Sequence, residues 1–433
     1  MRLSHVSTQN FRTFDNLDVD LQSLNVLIGA NASGKSNFLD LIDFIGDIAE
    51  YGLEDAIYLQ GGIKEIKNRH IGDSKNFKLN FKVDDFEHPA FIPSVFEYKS
   101  DYLIEFRIKS FELNLELELE EGDYKVIDED IEVLWDVVKS KRDEDEAEEQ
   151  VVDGKSGIRM YTEEGDYKYT IDYPDLDMGE EEIKEKAFPG VLLKSIEDQK
   201  LGKKELLVEN EQIIIFRPVL DQISSITVYD IDPNTVKTGS QVTGTKELEP
   251  DGSNLAIVLE DIGKDKQSRE NFNSYAKRLL PFADDYSVKR NEDRSFHLKI
   301  KEKIFPSDNR EENYASPSMI SDGTVNIYSL IVALNFEEDK PIIGIEEPEK
   351  NIHPSLLSKI VRVMEESSEN KQIIATTHEA TLLKEIDLSN VFMIKRNEDG
   401  FSELEKPKDN DMVSSFLEQD IGVDELMRDN ILG

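Results

Sequence analysis

Residues 24–42, LNVLIGANASGKSNFLDLI, decide how this chain is read. LNVLI is a short apolar run of strand length. The residues from Lys35 onward carry apolar side chains at helical spacing, at Phe38, Leu39, Ile42 and Ile45. Between the two lies GANASGKS, which sets Gly29, Gly34, Lys35 and Ser36 in the order G-x-x-x-x-G-K-S. A glycine-rich loop between a strand and a helix is the context a phosphate-binding loop requires. Glycine lets the backbone wrap phosphate oxygens without a Cβ clash. The loop N–H groups and the helix N-terminus form an anion site. In such a loop Lys35 reaches the β- and γ-phosphates, and the Ser36 hydroxyl ligates Mg²⁺.

Composition bounds the rest. At 433 residues the chain predicts two or three compact units, or one domain with a large insertion. A hydrophobic fraction of 38% suffices for a sizeable core. Asp plus Glu number 92 against 51 Lys plus Arg, a formal charge of −41. That balance opposes binding to anionic membranes and lacks the overall basic footprint of a nucleic-acid binder. It suits a basic protein partner. With no cysteine, disulfides, thiolate metal sites and cysteine nucleophiles are excluded. No apolar run approaches the roughly 20 residues of a membrane span, and residues 1–14 have no secretory apolar core, so a cytoplasmic location is expected.

Residues 1–28 read as strands, and 76–135 alternate apolar and polar residues as antiparallel strands with one solvated face do. KRDEDEAEEQ (141–150) has too little apolar content to pack and reads as a solvated loop. Further strands are expected at 157–164 and 166–173, a largely helical stretch at 180–225, and a strand at 224–233. One helix is expected at 251–262, started by Asn254, and another at 266–282. The last third returns to α/β grammar: a helix from Ser321, a strand at 341–345, a helix after Pro354, and strands at 372–377 and 391–396. No internal repeat and no sustained heptads occur.

Three more constellations bear chemistry. In PIIGIEEPE an apolar strand ends at Glu346 and Glu347, where the carboxyl end of a parallel strand faces a ligand crevice. One carboxylate suits Mg²⁺ and the other suits polarising a water for attack on a γ-phosphate. A Glu pair means little by itself in so acidic a chain; its place after a buried strand is what counts. In MISDGTVNIYSL, Ser321 and Asp322 are helix-capping residues and Gly323 permits close backbone approach. His378 follows the strand QIIATT, where an imidazole reaches a γ-phosphate or its attacking water.

The order of these elements resembles that of ATP-binding-cassette ATPases of the SMC, Rad50 and RecF kind. NFRTF, LNVLIGANASGKSNFLDLI, LEPDGSNLAIVLEDI, MISDGTVNIYSLIVAL, IIGIEEPEKNIHP, IIATTHEATLL and the closing GVDELMRDNILG are together similar to the RecF-like AAA-family ATPases of bacteria. Those include the ATPase half of OLD-family nucleases and the ATPase subunits of anti-phage systems such as Septu and PARIS. The resemblance implies an α/β, ABC-type (RecF/SMC-like) P-loop ATPase head with an antiparallel β subdomain and an inserted mixed α/β-helical subdomain. The head is expected at 1–75 and 210–433, discontinuous in sequence, with an inserted acidic region of antiparallel strands and helices at 76–209.

Position by position, the resemblance implies that Gly29, Asn31, Gly34, Lys35, Ser36 and Asn37 form the Walker A loop. Glu346 stands at the Mg²⁺-side Walker B acid and Glu347 at the catalytic base. Ser321, Asp322 and Gly323 stand at the signature motif, which in these ATPases reaches the γ-phosphate held by the opposite subunit of a head-to-head dimer. His378 matches the switch histidine and Arg12 the N-terminal arginine that approaches the nucleotide. Gln60 of YLQGG is a Q-loop candidate, and His353 falls in the D-loop near the dimer seam. The implied cofactors are ATP and Mg²⁺. Two positions depart from the pattern. Ala32 stands where the family usually has Gly, and fits if its φ is negative. Glu346 replaces the commoner Asp, moves the carboxylate outward by a methylene and implies slow turnover.

SMC and Rad50 proteins place a long coiled coil between Walker A and signature; the absence of heptads here opposes a chromosome-bridging role. OLD-type proteins append a Toprim nuclease, and about fifty residues follow His378, too few for that fold. The expected function is therefore an ATPase whose dimeric or higher homo-oligomeric nucleotide sandwich gates a separate effector protein, such as a nuclease, in anti-phage defence, with a phage-derived protein as trigger. The alternative is a RecF-like DNA-repair ATPase that binds DNA directly; a third reading is a nucleotide-binding scaffold with negligible hydrolysis.

Overall fold

The computed structural model describes residues 1–407 except 87–95, 99–100, 142–148, 153, 155, 164–165, 188–195, 197–201, 211–215, 241–245, 293 and 304–313. Most of the expected acidic loop at 141–150 and the closing GVDELMRDNILG lie outside the described residues. The chain divides into two compact units. One contains Met1–Gln22, Asp40–Ile226 and Arg396–Leu404, and the other contains Ser23–Leu39 and Thr227–Lys395.

The first unit is built on an antiparallel sheet of nine strands among the described residues. These are β1 (Arg2–Phe11), β2 (Phe14–Asp20), β4 (Phe77–Asp84), β5 (Phe96–Tyr98), β6 (Tyr102–Glu120), β7 (Asp123–Lys141), β8 (Gln150–Val152), β9 (Gly157–Glu163) and β10 (Asp166–Asp172). The order is β10-β9-β7-β6-β4-β1-β2, with β5 on β6 and β8 on β7. Period-2 patterning makes these strands: β4 buries Phe77, Leu79, Phe81 and Val83 and turns Lys78, Asn80 and Lys82 outward. The long β6–β7 hairpin closes at Glu121-Gly122, both at positive φ, the geometry of a tight hairpin turn. Phe11, Phe44 and Phe77 pack with ring centroids 6.1–6.2 Å apart. Glu129 on β7 is fully buried. It accepts from Tyr167 Oη and from the N–H groups of Leu207 and Val208, and burial pushes its carboxyl up to about 7.

The compact units cut across the expected division at 75/76. β1 and β2, expected with the head, pair into the same sheet as β4, because β1 is registered against it from Arg2 to Gln9. The stretch 180–225 holds helices at Glu180–Ala187 and Arg217–Ile223 and a 3₁₀ turn at Leu207–Glu209.

The second unit carries a parallel run in the order β11-β15-β16-β3-β17, from β3 (Leu24–Ile28), β11 (Thr227–Tyr229), β15 (Ile342–Glu346), β16 (Gln372–Thr377) and β17 (Val391–Arg396). β3 and β16 are buried along their whole length, as strands covered on both faces must be. Helix α1 (Lys35–Tyr51) follows β3; its residues up to Leu39 belong to this unit, and the rest of it, with α2 (Leu53–Leu59), belongs to the first. Helices α3 (Leu255–Ile262), α4 (Lys266–Leu279), α5 (Asp322–Asn335) and α6 (Leu357–Ser367) complete the unit, with a small antiparallel sheet of β12 (Ala283–Arg290), β13 (Phe296–Glu302) and β14 (Tyr314–Ala315). The β12–β13 pair was not expected from the sequence, although FHLKIKE alternates cleanly. α5 is buried from Thr324 to Leu334. Phe272 of α4 meets Tyr328 of α5 and Tyr286 of β12 edge-on at 5.1 Å. Asn254 corrects one expectation. It precedes α3 but its side chain does not cap it; the amide accepts from Glu249 N–H and donates to the Glu247 carbonyl, tying down the preceding turn.

Candidate nucleotide site

β15, β16 and β3 are consecutive neighbours and run parallel, so their carboxyl ends share one edge of the sheet. The chain leaves β3 into Gly29–Gly34, leaves β15 at Glu346-Glu347 and leaves β16 at His378. Three distant segments are thereby brought to one place.

The loop geometry explains its glycines. A Cβ on Gly29 would lie 2.2 Å from the carbonyl oxygen of Ile394 on β17, and Gly34 has φ 118°, closed to other residues. The first turn of α1 has no acidic residue despite the acidity of the chain, which leaves its N-terminal partial charge available to an anion. Lys35 is buried. Its Nζ donates to the carbonyls of Gly29 (2.9 Å) and Ala30 (3.0 Å), which holds the ammonium inside the loop. Burial pushes its pKa below the usual value, opposed by the charges of Glu347, Glu346 and Glu349. Asn31 is exposed and Asn37 half-buried.

Ala32 corrects the expectation of a negative φ: its φ is 63°. The tight turn of the loop demands the left-handed region there, and alanine adopts it at a cost of about 1 kcal/mol.

The Ser36 hydroxyl hydrogen-bonds Glu346 Oε1. Two hard oxygens at the end of the phosphate loop fit Mg²⁺, which takes one or two protein ligands and completes its shell with water and phosphate oxygens.

Glu347 has φ 45°, an uncommon conformation that its neighbours hold in place. Its N–H donates to the Thr376 carbonyl (3.1 Å), and its Oε1 lies 2.8 Å from His378 Nδ1. A carboxylate beside an imidazole at a strand edge can accept a proton from water and keep that water oriented.

Ser321 caps α5, its Oγ accepting from Thr324 N–H at 3.2 Å. Asp322 pairs with Lys237. A Cβ on Gly323 would sit 2.3 Å from the Asn351 carbonyl, so the close approach that this glycine permits is to the loop following Glu347. Asn326 donates to the Lys350 carbonyl of that loop. His353 caps the turn Pro354–Leu356 through Ser355.

Arg12 and Gln60 belong to the other compact unit. Arg12 donates to Asp40 and to Gln60 Oε1 (2.5 Å), and Gln60 Nε2 donates to Asp47 (3.4 Å). The Arg12–Gln60 contact was not foreseen.

Sequence reading also missed Glu349. Its carboxylate is buried, accepts from the Thr377 hydroxyl, and lies 4.0 Å from His378 Nδ1. Burial raises its pKa, opposed by Thr377, a backbone N–H and His378. The signal, a third acid in EEPE, is invisible in a chain so rich in acids.

The family described as "AAA domain, putative AbiEii toxin, Type IV TA system" matches residues 24–384. Endonuclease GajA of Bacillus cereus (strain VD045) is 24% identical over 413 residues, 92% of this chain and 59% of that protein. The chain thus spans less than two thirds of that relative's length. DNA replication and repair protein RecF of Lactobacillus acidophilus (strain ATCC 700396 / NCK56 / N2 / NCFM) is 48% identical over 46 residues, 10% of this chain and 12% of that protein. Among solved structures, an SMC head bound to the C-winged helix domain of ScpA superposes with a TM-score of 0.47 at 12% identity, covering 94% of this chain and 98% of that one. The SMC head domain from Thermotoga maritima gives 0.41 at 14% identity, covering 94% and 99%.

Proposed function

The chain belongs to this AAA-domain family, and on that premise we propose that it binds and slowly hydrolyses ATP, and that its nucleotide-dependent dimer gates a separate effector protein in prokaryotic anti-phage defence. The observation that carries the reading is the double pairing at neighbouring strand ends, Ser36 with Glu346 and His378 with Glu347.

In this reading Gly29, Asn31, Gly34 and Asn37 shape the phosphate cradle and Lys35 neutralises phosphate charge. Ser36 and Glu346 hold the magnesium ion, which when bound offsets charge on the phosphate oxygens. Glu347 takes a proton from the attacking water and His378 orients that water. Ser321, Asp322 and Gly323 complete the nucleotide site of a second subunit in a homodimer or higher homo-oligomer, and Arg12 adds a cationic contact. The head of 1–75 and 210–433 performs the chemistry, and the acidic 76–209 region offers a docking surface. Closure with ATP and opening after hydrolysis form a two-state element that a ligand biases. The charge of −41 favours a basic effector or a basic phage-derived trigger.

The RecF match favours a second reading, a repair ATPase that binds DNA directly. Net charge weighs against it.

Two measurements test these readings. Phosphate release by the wild type should exceed that of Glu347→Gln; equal rates leave only the scaffold reading. Glu347→Gln, expressed with its neighbouring genes and isolated with ATP and Mg²⁺, should retain a stoichiometric protein that Lys35→Ala loses. Retained DNA that salt removes, without a protein partner, would establish the repair reading instead.

A further inference from the structure

Glu349 stands three residues beyond the candidate magnesium ligand and two beyond the candidate base. Its side chain is 6% exposed, and a buried carboxylate is costly unless its oxygens are satisfied. One oxygen accepts from the Thr377 hydroxyl and faces His378 Nδ1 at 4.0 Å; the other has no hydrogen-bond partner among the described residues. Thr377 is used twice: its Oγ1 donates to Glu349 and accepts from the Glu379 N–H at 2.9 Å. The peptide that follows His378 is therefore fastened to the hydroxyl of the residue that precedes it, and that hydroxyl is fastened to Glu349. Glu347 N–H, bonded to the Thr376 carbonyl, closes the link from the other side.

We propose that Glu349 is a positioning residue for hydrolysis: through the Thr377 hydroxyl it fixes the backbone that carries His378, so that the imidazole stays on Glu347. Glu349 itself touches neither nucleotide nor water. Its role is geometric and rests on the ATPase reading given above. The charged groups around it are Lys35, Glu347 and His378, so its removal also changes the local field. The hydroxyl separates the two effects, because Thr377 carries no charge.

The test is steady-state phosphate release and equilibrium binding of a fluorescent ATP analogue by the full chain, for wild type, Glu347→Gln, Glu349→Ala, Thr377→Val and Thr377→Ser. Glu349→Ala and Thr377→Val should each lower kcat about tenfold or more with nucleotide affinity kept within about twofold, because displacement of a catalytic group is costly even when binding survives. Thr377→Ser, which keeps the hydroxyl, should restore most of the rate. The double variant Glu349→Ala/Thr377→Val should be no slower than the worse single variant. A serine variant as slow as valine, multiplying losses in the double variant, or nucleotide affinity that falls with kcat would each overturn the inference. A wild-type rate no higher than that of Glu347→Gln sinks the ATPase reading and this inference with it; a higher wild-type rate together with an unrescued Thr377→Ser sinks the inference alone.

Discussion

Nδ1 of the His378 imidazole lies 2.8 Å from Oε1 of Glu347, joining the ends of two neighbouring parallel strands, β16 and β15. The two lie 31 positions apart in sequence. The pairing gives the imidazole and the carboxylate a fixed partner in each other across two strand ends.

If the pair acts as a unit, Glu347→Gln should lower kcat by about 10²–10⁴-fold and His378→Ala by about 10²-fold. The double variant should be no slower than Glu347→Gln alone, since groups that act together are not additive. Single-turnover phosphate release checks this; fully multiplying losses count against it.

Ser36 and Glu346 share a hydrogen bond at the candidate magnesium position. Ser36→Ala should raise the Mg²⁺ concentration needed for half-maximal ATPase activity several-fold, while Lys35→Ala abolishes nucleotide binding itself. Titrating Mg²⁺ at fixed ATP distinguishes them, and an unshifted Mg²⁺ midpoint in Ser36→Ala removes that residue from the ion's shell.

Ala32 sits at φ 63°, in the left-handed region that favours glycine. Ala32→Gly relieves left-handed strain but adds backbone entropy to the unfolded chain, so the net gain is about 0.5–1 kcal/mol. ATP affinity should be retained. Chemical denaturation that shows a loss of stability contradicts the assigned backbone geometry.

Asp43 on α1 has its carboxyl pushed up to about 7, first by burial and then by Asp47 and Asp40, with Arg12 opposing. A carboxyl raised in the folded state binds its proton more tightly there than in the unfolded chain. Its contribution to stability is therefore greatest below about pH 4, falls as pH rises towards 7, and is level above that. Asp43→Asn removes this dependence. The stability of the variant relative to wild type should climb by up to about 1.4 kcal/mol per pH unit across that window. Urea unfolding at several pH values measures the difference; a flat difference rejects the raised value.

Much of the site was legible in the sequence because each part is a local pattern. The strand–loop–helix of 24–51, the apolar strands before Glu346 and His378, and the Ser321 cap all depend on near neighbours in the chain. What could not be read was anything made between segments. Glu349 looks like one more acid until Thr377 is beside it. Arg12 looks like a free cation until Asp40 and Gln60 hold it.

The sequence by itself determined the glycine-rich strand–loop–helix at 24–51, the α/β character of the last third and the alternating strands of the middle, because glycine conformation and hydrophobic period act over a few residues. Tertiary structure alone decided that β1 and β2 join the antiparallel sheet, that Ala32 turns left-handed, and that Gly323 packs on Asn351. It also decided that His378 meets Glu347 while Glu349 holds Thr377. Those outcomes depend on which strand edges pair and on which backbones meet at van der Waals distance, and contacts between residues far apart in the chain leave no periodic trace in it.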